Sequence, residues 1–157
     1  MHACRVLIVA ILFILVLPLT GKTTAVSVSK LDKCPVCGMF VAKYPDFLAQ
    51  IIFNDGSYAV FDGVKDMFKY YFHVKKYNPS KALSDIEFIY VMDYYNMAPI
   101  DGRVAWYVIG SDIFGPMGRE LISFAKETDA HAFLKDHSGK QLLRFDEVTA
   151  DLIRGLD

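Results

Sequence analysis

The sequence has little cysteine, no excess of positive charge and no recognisable catalytic constellation. Its 17 basic and 18 acidic residues nearly balance, which argues against a nucleic-acid-binding protein. No Ser-His-Asp order, functional pair of carboxylates or phosphate-binding loop is visible, so we predict a protein that is not an enzyme and has no small-molecule substrate. Only Cys34 and Cys37 follow the N-terminal apolar run, and they close too small a loop to stabilise a fold.

The long apolar run lies at residues 6–17 and is preceded by Arg5. It is shorter than the roughly 20 residues of a membrane-spanning helix, and it has the charged start and apolar centre of a secretory signal peptide. We therefore predict a signal peptide at residues 1–25 and a mature domain at residues 26–157 in the periplasm. Because Cys4 precedes the apolar run, no lipoprotein anchor is predicted, and membrane attachment is expected only if the signal stays uncleaved.

The first half of the mature chain is predicted to contain a hairpin, a helix and a third strand. Two strand-like segments on either side of Asn54-Asp55-Gly56, a turn of the Asp-Gly type, predict the hairpin. Apolar residues at helical spacing predict a helix that has Asp62 as its N-cap and ends near His73. The three strands are predicted at residues 47–53, 57–61 and 86–92. Loop-forming residues predict an irregular link at 93–102.

The second half repeats this order of elements. Its strands are predicted at residues 104–109, 120–124 and 142–145. A glycine-rich connection is expected at 111–119, and a helix with Asp129 as its N-cap is expected to end at His137. Two similar halves predict an α+β fold, in which two pseudo-repeated β-β-α-β units form one compact domain behind the signal peptide.

Two thiols and a thioether lie within six residues, in Cys34-Pro35-Val36-Cys37-Gly38-Met39. Thiolates select Cu(I), Zn(II) or iron–sulfur clusters, and a thioether ligand suits Cu(I) better than Zn(II). Met39 therefore favours Cu(I) for this segment. A methionine also commonly fills a gap in a core, and for Met39 alone that remains the alternative.

Other uses of the cysteine pair fit the sequence less well. A thiol–disulfide redox protein would place Cys34 and Cys37 at the start of a helix that follows a strand, whereas Gly38 and an extended segment follow here. We retain this redox function as the alternative. A zinc ribbon needs a second cysteine pair or a histidine pair, and neither lies within the required spacing. Haem attachment needs a histidine where Gly38 stands.

Four segments of the chain carry a resemblance to a known family. They are Cys34-Pro35-Val36-Cys37-Gly38-Met39, the Phe61-Asp62-Gly63 step toward Met67-Phe68, Val91-Met92-Asp93-Tyr94, and Gly115-Pro116-Met117-Gly118-Arg119-Glu120-Leu121-Ile122-Ser123-Phe124. In this order, from about Lys33 to Val148, they resemble the NosL family of nitrous oxide reductase accessory proteins. The resemblance implies two β-β-α-β units, similar to part of organomercurial lyase. It also implies periplasmic Cu(I) binding and delivery of copper to apo-nitrous oxide reductase as the recipient cuproenzyme.

The resemblance and the donor chemistry together predict a Cu(I) site made of Cys34, Cys37, Met39 and Met117. Met117 lies among Gly115, Pro116 and Gly118, which are residues of exposed tight turns, and a core methionine rarely lies in such a turn. Whether Cys34, Cys37 or both bind the metal is left open by the sequence.

Overall fold

The first half forms an antiparallel sheet with a helix packed against it. The computed structural model describes residues 24–157, so most of the predicted signal peptide lies outside the described residues. The elements of this half are β1 Ala49–Phe53, β2 Tyr58–Phe61, α1 Val64–Phe72, α2 Val74–Tyr77, β3 Ile86–Asp93 and β4 Ala98–Asp101. The strand order in the sheet is β2-β1-β3-β4.

The second half repeats this arrangement with a smaller sheet. Its elements are β5 Trp106–Gly115, β6 Gly118–Phe124, α3 Glu127–Asp136, β7 Gln141–Arg144 and α4 Ala150–Arg154. The strand order is β6-β5-β7. In both sheets the first strand is central, its hairpin partner lies on one side, and the strand after the helix lies antiparallel on the other. The predicted pair of β-β-α-β units in an α+β fold is confirmed.

Helix α1 joins the two halves because its apolar residues contact both. Met67 and Phe68 are fully buried, and the Phe68 ring meets the Tyr107 ring of β5 edge-on, with centroids 5.5 Å apart. Such aromatic pairs contribute about 0.5–1.5 kcal/mol beyond the area that they bury. A smaller apolar cluster lies under α3 and includes Phe124 and Phe133. The main core thus fixes α1 against both halves of the domain.

Two parts of the chain predicted as irregular are strands. The link 93–102 contains β4, which pairs with β3 at the sheet edge. Pro99 conceals this strand in the sequence, but an edge strand tolerates a proline because one side of it needs no ladder hydrogen bonds. The connection 111–119 is a hairpin extension, because β5 continues past a bulge and Gly115 pairs with Gly118. Its glycines therefore serve a two-residue turn rather than a long loop.

The predicted helix starts are displaced in the structure. Helix α1 begins after Gly63, and no side chain of its own N-cap residue accepts a hydrogen bond. Helix α3 begins at Glu127, so Asp129 lies in its first turn and is not the cap. The chain does not become irregular at the predicted helix end near His73, because the short helix α2 follows directly. Among residues 24–157, no helix has the length and apolarity needed to cross a membrane.

Candidate metal centre

The two cysteines lie on a tight loop that is closed by backbone hydrogen bonds. The Cys34 N–H donates to the Met39 carbonyl at 2.9 Å, and the Gly38 N–H donates to the Cys34 carbonyl at 2.9 Å. Gly38 has φ +81°, a left-handed conformation that glycine adopts without steric cost. Pro35 fixes the φ of the first turn residue. Pro35 and Gly38 thus favour a tight loop that keeps the two thiols near each other.

Backbone amides of the loop donate hydrogen bonds toward both sulfur atoms. The amides of Val36 and Cys37 donate toward Cys34 Sγ, and the amide of Met39 donates toward Cys37 Sγ. Burial nevertheless raises the pKa of the Cys34 thiol above its ordinary value, and it raises the pKa of Cys37 to about 12. Both thiols therefore carry protons in the metal-free protein, and a metal must displace them.

Two carboxylates complete a cluster around the thiols. Cys37 Sγ donates to Asp62 Oδ1 at 3.1 Å, and Cys34 Sγ donates to Asp66 Oδ2 at 3.4 Å. One ligand atom from each of these four residues lies within 4.8 Å of the others. Asp62 follows β2 and Asp66 lies in the first turn of α1, so the strand-to-helix connection presents both carboxylates to the cysteine loop.

The cluster has unused ligand capacity. Asp62 Oδ2 and Asp66 Oδ1 are buried without a hydrogen-bond partner among the described residues, although the Lys69 ammonium lies 3.7 Å from Asp66 Oδ1. Buried carboxylate oxygens normally have partners, so these two are suited to a cation. The thiolates suit Cu(I), whereas a mixed set of thiolates and carboxylates is also compatible with Zn(II).

The four sequence-predicted ligands lie on two elements. Cys34, Cys37 and Met39 share the cysteine loop, where Cys34 is 1% exposed and the other two are half-buried. Met117 lies at the tip of the β5–β6 hairpin and is 42% exposed. Its carbonyl accepts a hydrogen bond from Lys65 Nζ at 2.8 Å. The hairpin tip is thereby fixed to the residue that precedes Asp66.

Asp62 was predicted as the N-cap of α1, and this prediction is wrong. Its carboxylate is turned toward Cys37, and the cap is supplied by the second half: Glu120 Oε1 accepts from the Lys65 N–H at 2.5 Å. Gly63 is required at this contact, because a Cβ there would overlap the Glu120 carboxylate. Asp62 precedes the extended Gly63 and lies outside α1, so no helical spacing in the sequence relates it to Asp66.

The histidines of the described residues lie outside the cluster. His73 is the C-cap residue of α1, and His137 is the C-cap residue of α3. His137 Nδ1 lies 2.9 Å from Asp112 Oδ1, and His131 lies 3.7 Å from Glu127. None of these three histidines belongs to the cluster of potential metal ligands.

Sequence and structure comparisons agree on the relatives of this chain. The copper-binding lipoprotein NosL of Stutzerimonas stutzeri is 32% identical over 131 residues, which cover 78% of this chain and 65% of that protein. This chain therefore spans less than two thirds of that relative. The crystal structure of the copper chaperone NosL from Shewanella denitrificans superposes with a TM-score of 0.68 at 28% identity, covering 82% of this chain and 97% of the other. The NosL family profile matches residues 25–153, and this chain therefore belongs to the NosL family.

Proposed function

We propose that this protein is a periplasmic Cu(I) carrier that delivers copper to a cuproenzyme, namely apo-nitrous oxide reductase, and that it is not an enzyme. The observation that carries the proposal is the convergence of Cys34 and Cys37 with two buried carboxylate oxygens that have no hydrogen-bond partner within residues 24–157. Membership of the NosL family supports copper as the cargo. Residues 1–25 are proposed as the export signal and 26–157 as the copper-binding domain.

The burial of the two thiols differs in a way that suits transfer. Cys34 is 1% exposed, so we expect it to hold the ion from the protein side. Cys37 is half-buried and has an exposed neighbour in Gly38, so an incoming ligand from a recipient reaches the ion there first. Associative exchange of this kind lets a tightly held ion leave without first becoming free.

Met39 and Met117 are the proposed thioether ligands. Met39 follows Cys37 on the same loop. Met117 belongs to the second half, and its main chain is fastened to Lys65 at the start of α1. A Cu(I) ion bound by Cys37 and Met117 would link the two halves across this joint. Thioether donors suit Cu(I) because both are soft.

The alternative function, thiol–disulfide exchange, agrees less well with the site. A redox cysteine is activated by a lowered pKa at a helix start or beside a cation. Here burial raises the pKa of both thiols. Asp62 and Asp66 are the groups to which the thiols donate, and a carboxylate disfavours a neighbouring thiolate.

The proposal is tested by loading the purified mature protein with Cu(I) under anaerobic conditions and competing with a Cu(I)-specific chelator. We expect one Cu(I) per chain and transfer of that ion to apo-nitrous oxide reductase. Protein whose thiols have been alkylated before loading is the control and should retain no copper. Retention that is equal before and after alkylation would contradict the proposed site, and failure of transfer from loaded protein would contradict the proposed recipient.

A further inference from the structure

A basic cleft borders the cysteine loop. It has a volume of about 420 Å³ and lies between the α1–α2 segment and α4. Its lining includes the apolar Val36, which lies between the two cysteines, and the polar residues Lys69, His73, Lys76, Arg154 and Asp157. An occupant of this cleft would therefore contact the loop that carries the candidate copper ligands.

The segment that forms one wall of the cleft, residues 64–81, is positively charged, whereas the rest of the domain is negatively charged. Residues 64–81 carry five lysines and a single acidic residue, Asp66, whereas the other residues between 24 and 157 carry ten basic and seventeen acidic side chains. Of these five lysines, Lys69 and Lys76 line the cleft, and Arg154 of α4 adds a third basic side chain to it. A local excess of one charge in a concave surface attracts a ligand of the opposite charge.

Part of this positive charge is available to an occupant. Lys76 is exposed; its ammonium lies over the Tyr77 ring, 5.0 Å from the centroid, and forms no ion pair with the residues that the structure describes. Arg154 pairs at 2.9 Å with Asp151, but both side chains are mostly exposed, and such pairs contribute little. Lys69 is already bound to Asp157 at 2.5 Å.

Lys69 also connects the cleft to the metal centre. Its ammonium lies 3.7 Å from Asp66 Oδ1, one of the two carboxylate oxygens that have no hydrogen-bond partner in the described part of the chain. A single side chain therefore spans the distance between the cleft and the candidate copper ligands. The cleft and the candidate metal centre are therefore adjacent.

We propose that the basic cleft receives an acidic segment of the protein that takes copper from this one. The inference rests on the proposed copper-carrier function and adds to it the chemistry of the partner. Charge complementarity selects a carboxylate-rich occupant, and the concave shape selects a protruding loop or strand rather than the plane of a membrane surface. Contact with Val36 places the occupant beside Cys37, where the incoming ligand must arrive.

The test compares charge reversals inside and outside the cleft. K76E combined with R154E changes the cleft, and K126E combined with K135E makes the same charge change at exposed positions on α3 and its N-cap. We expect both variants to hold Cu(I) as tightly as the unaltered protein. The cleft variant should transfer copper to apo-nitrous oxide reductase about tenfold more slowly at low ionic strength, and added salt should shrink the difference.

A second probe makes the result independent of the recipient. A hexaglutamate peptide should shift the backbone NMR signals of Val36, His73 and Lys76 in the unaltered protein, and these shifts should disappear in the cleft variant. Equal transfer rates for the two variants, or peptide-induced shifts centred on Lys126 and Lys135, would overturn the inference. The inference would also be overturned if the unaltered protein bound phosphatidylglycerol vesicles in a salt-sensitive manner and only the cleft variant lost this binding. Failure of the unaltered protein to bind Cu(I) would instead contradict the proposed function.

Discussion

The two helix starts of this domain occupy equivalent positions in the repeat and serve different purposes. Helix α1 follows Phe61-Asp62-Gly63, and helix α3 follows Phe124-Ala125-Lys126. At each start the other half supplies a buried carboxylate. Glu120 Oε1 accepts from the Lys65 N–H at 2.5 Å, and Asp93 Oδ2 accepts from the Ala125 N–H at 2.9 Å. Each half therefore holds the chain at the helix start of the other half, but among the described residues only the first start faces two thiols.

The pKa values of the two carboxylates are shifted in opposite directions: that of Asp93 is lowered and that of Glu120 is raised. Burial acts to raise the pKa of Asp93, but amide donors from Ala125, Asn96 and Tyr95 outweigh it and lower the pKa. Burial raises the pKa of Glu120 to about 8, against two backbone donors. The α3 start is thus a satisfied structural joint, whereas the α1 start concentrates acidic groups where a cation would relieve them. The repeat supplies a scaffold, and at the α1 start Asp62 and Asp66 accept hydrogen bonds from the two thiols.

The largest expected effect follows removal of the thiols from the α1 start. Cys37→Ser should lower the Cu(I) affinity at least about a hundredfold, the equivalent of about 2.7 kcal/mol, because a soft thiolate ligand is replaced by a hydroxyl. Oxidation of Cys34 and Cys37 to a disulfide should abolish binding in the same way. Chelator competition measures both changes. Full copper capacity in the oxidised protein would show that the thiols are not ligands.

At the α3 start we expect a loss of stability without a loss of copper binding. Asp93→Asn leaves one oxygen for amides that now bond to both carboxylate oxygens. The free energy of unfolding should fall by about 1–3 kcal/mol, the cost of a buried hydrogen-bonding group left without its partner. Urea unfolding measures this change. A parallel fall in Cu(I) affinity of the folded variant would contradict the division of roles between the two starts.

Met117→Leu tests whether the metal site extends to the second half. The substitution nearly conserves volume and apolarity, so the fold should lose less than about 1.5 kcal/mol. Loss of one soft donor should lower the Cu(I) affinity about tenfold, the equivalent of about 1.4 kcal/mol. Met97→Leu is a matched control, because Met97 is exposed to a similar extent, at 48%. Equal affinities for the two variants would confine the site to the first half.

Glu120→Gln should change the pH dependence of stability at the α1 start. Because the folded pKa of Glu120 is raised to about 8, the folded protein keeps a proton that the unfolded chain loses between about pH 4.5 and 8. This group therefore makes stability fall as pH rises through that range. The glutamine variant should lose this component, so its free energy of unfolding should fall less between pH 5 and pH 9 than that of the unaltered protein. Unchanged pH profiles of apo-protein unfolding would refute the assignment.

Local periodicity was sufficient to predict the repeat but not the joints between its halves. Apolar runs bounded by turn residues identify the six strands of the repeat, and helical spacing identifies both main helices. Strand β4 was missed because Pro99 is typical of loops and only its edge position makes it acceptable. The short helices α2 and α4 span four and five residues, too few for a clear periodic signal.

The cysteine loop was predictable and its carboxylate partners were not. The spacing of Cys34 and Cys37 indicates a candidate metal site in the sequence itself. Asp62 was assigned to capping because Asp is a preferred N-cap residue, and nothing local indicates that Glu120, 55 residues beyond Lys65, takes that role. Asp62 and Asp66 meet the two thiols only once the cysteine loop packs against the start of α1.

Copper K-edge X-ray absorption on the Cu(I)-loaded mature protein tests most directly whether the ion lies at the α1 start. A first shell dominated by sulfur is expected in the unaltered protein. This shell should lose one sulfur scatterer in Cys37→Ser and one in Met117→Leu, and it should stay unchanged in Met97→Leu and Asp93→Asn. A shell of nitrogen and oxygen atoms, or a sulfur shell that Cys37→Ser leaves intact, would place the copper elsewhere in the molecule.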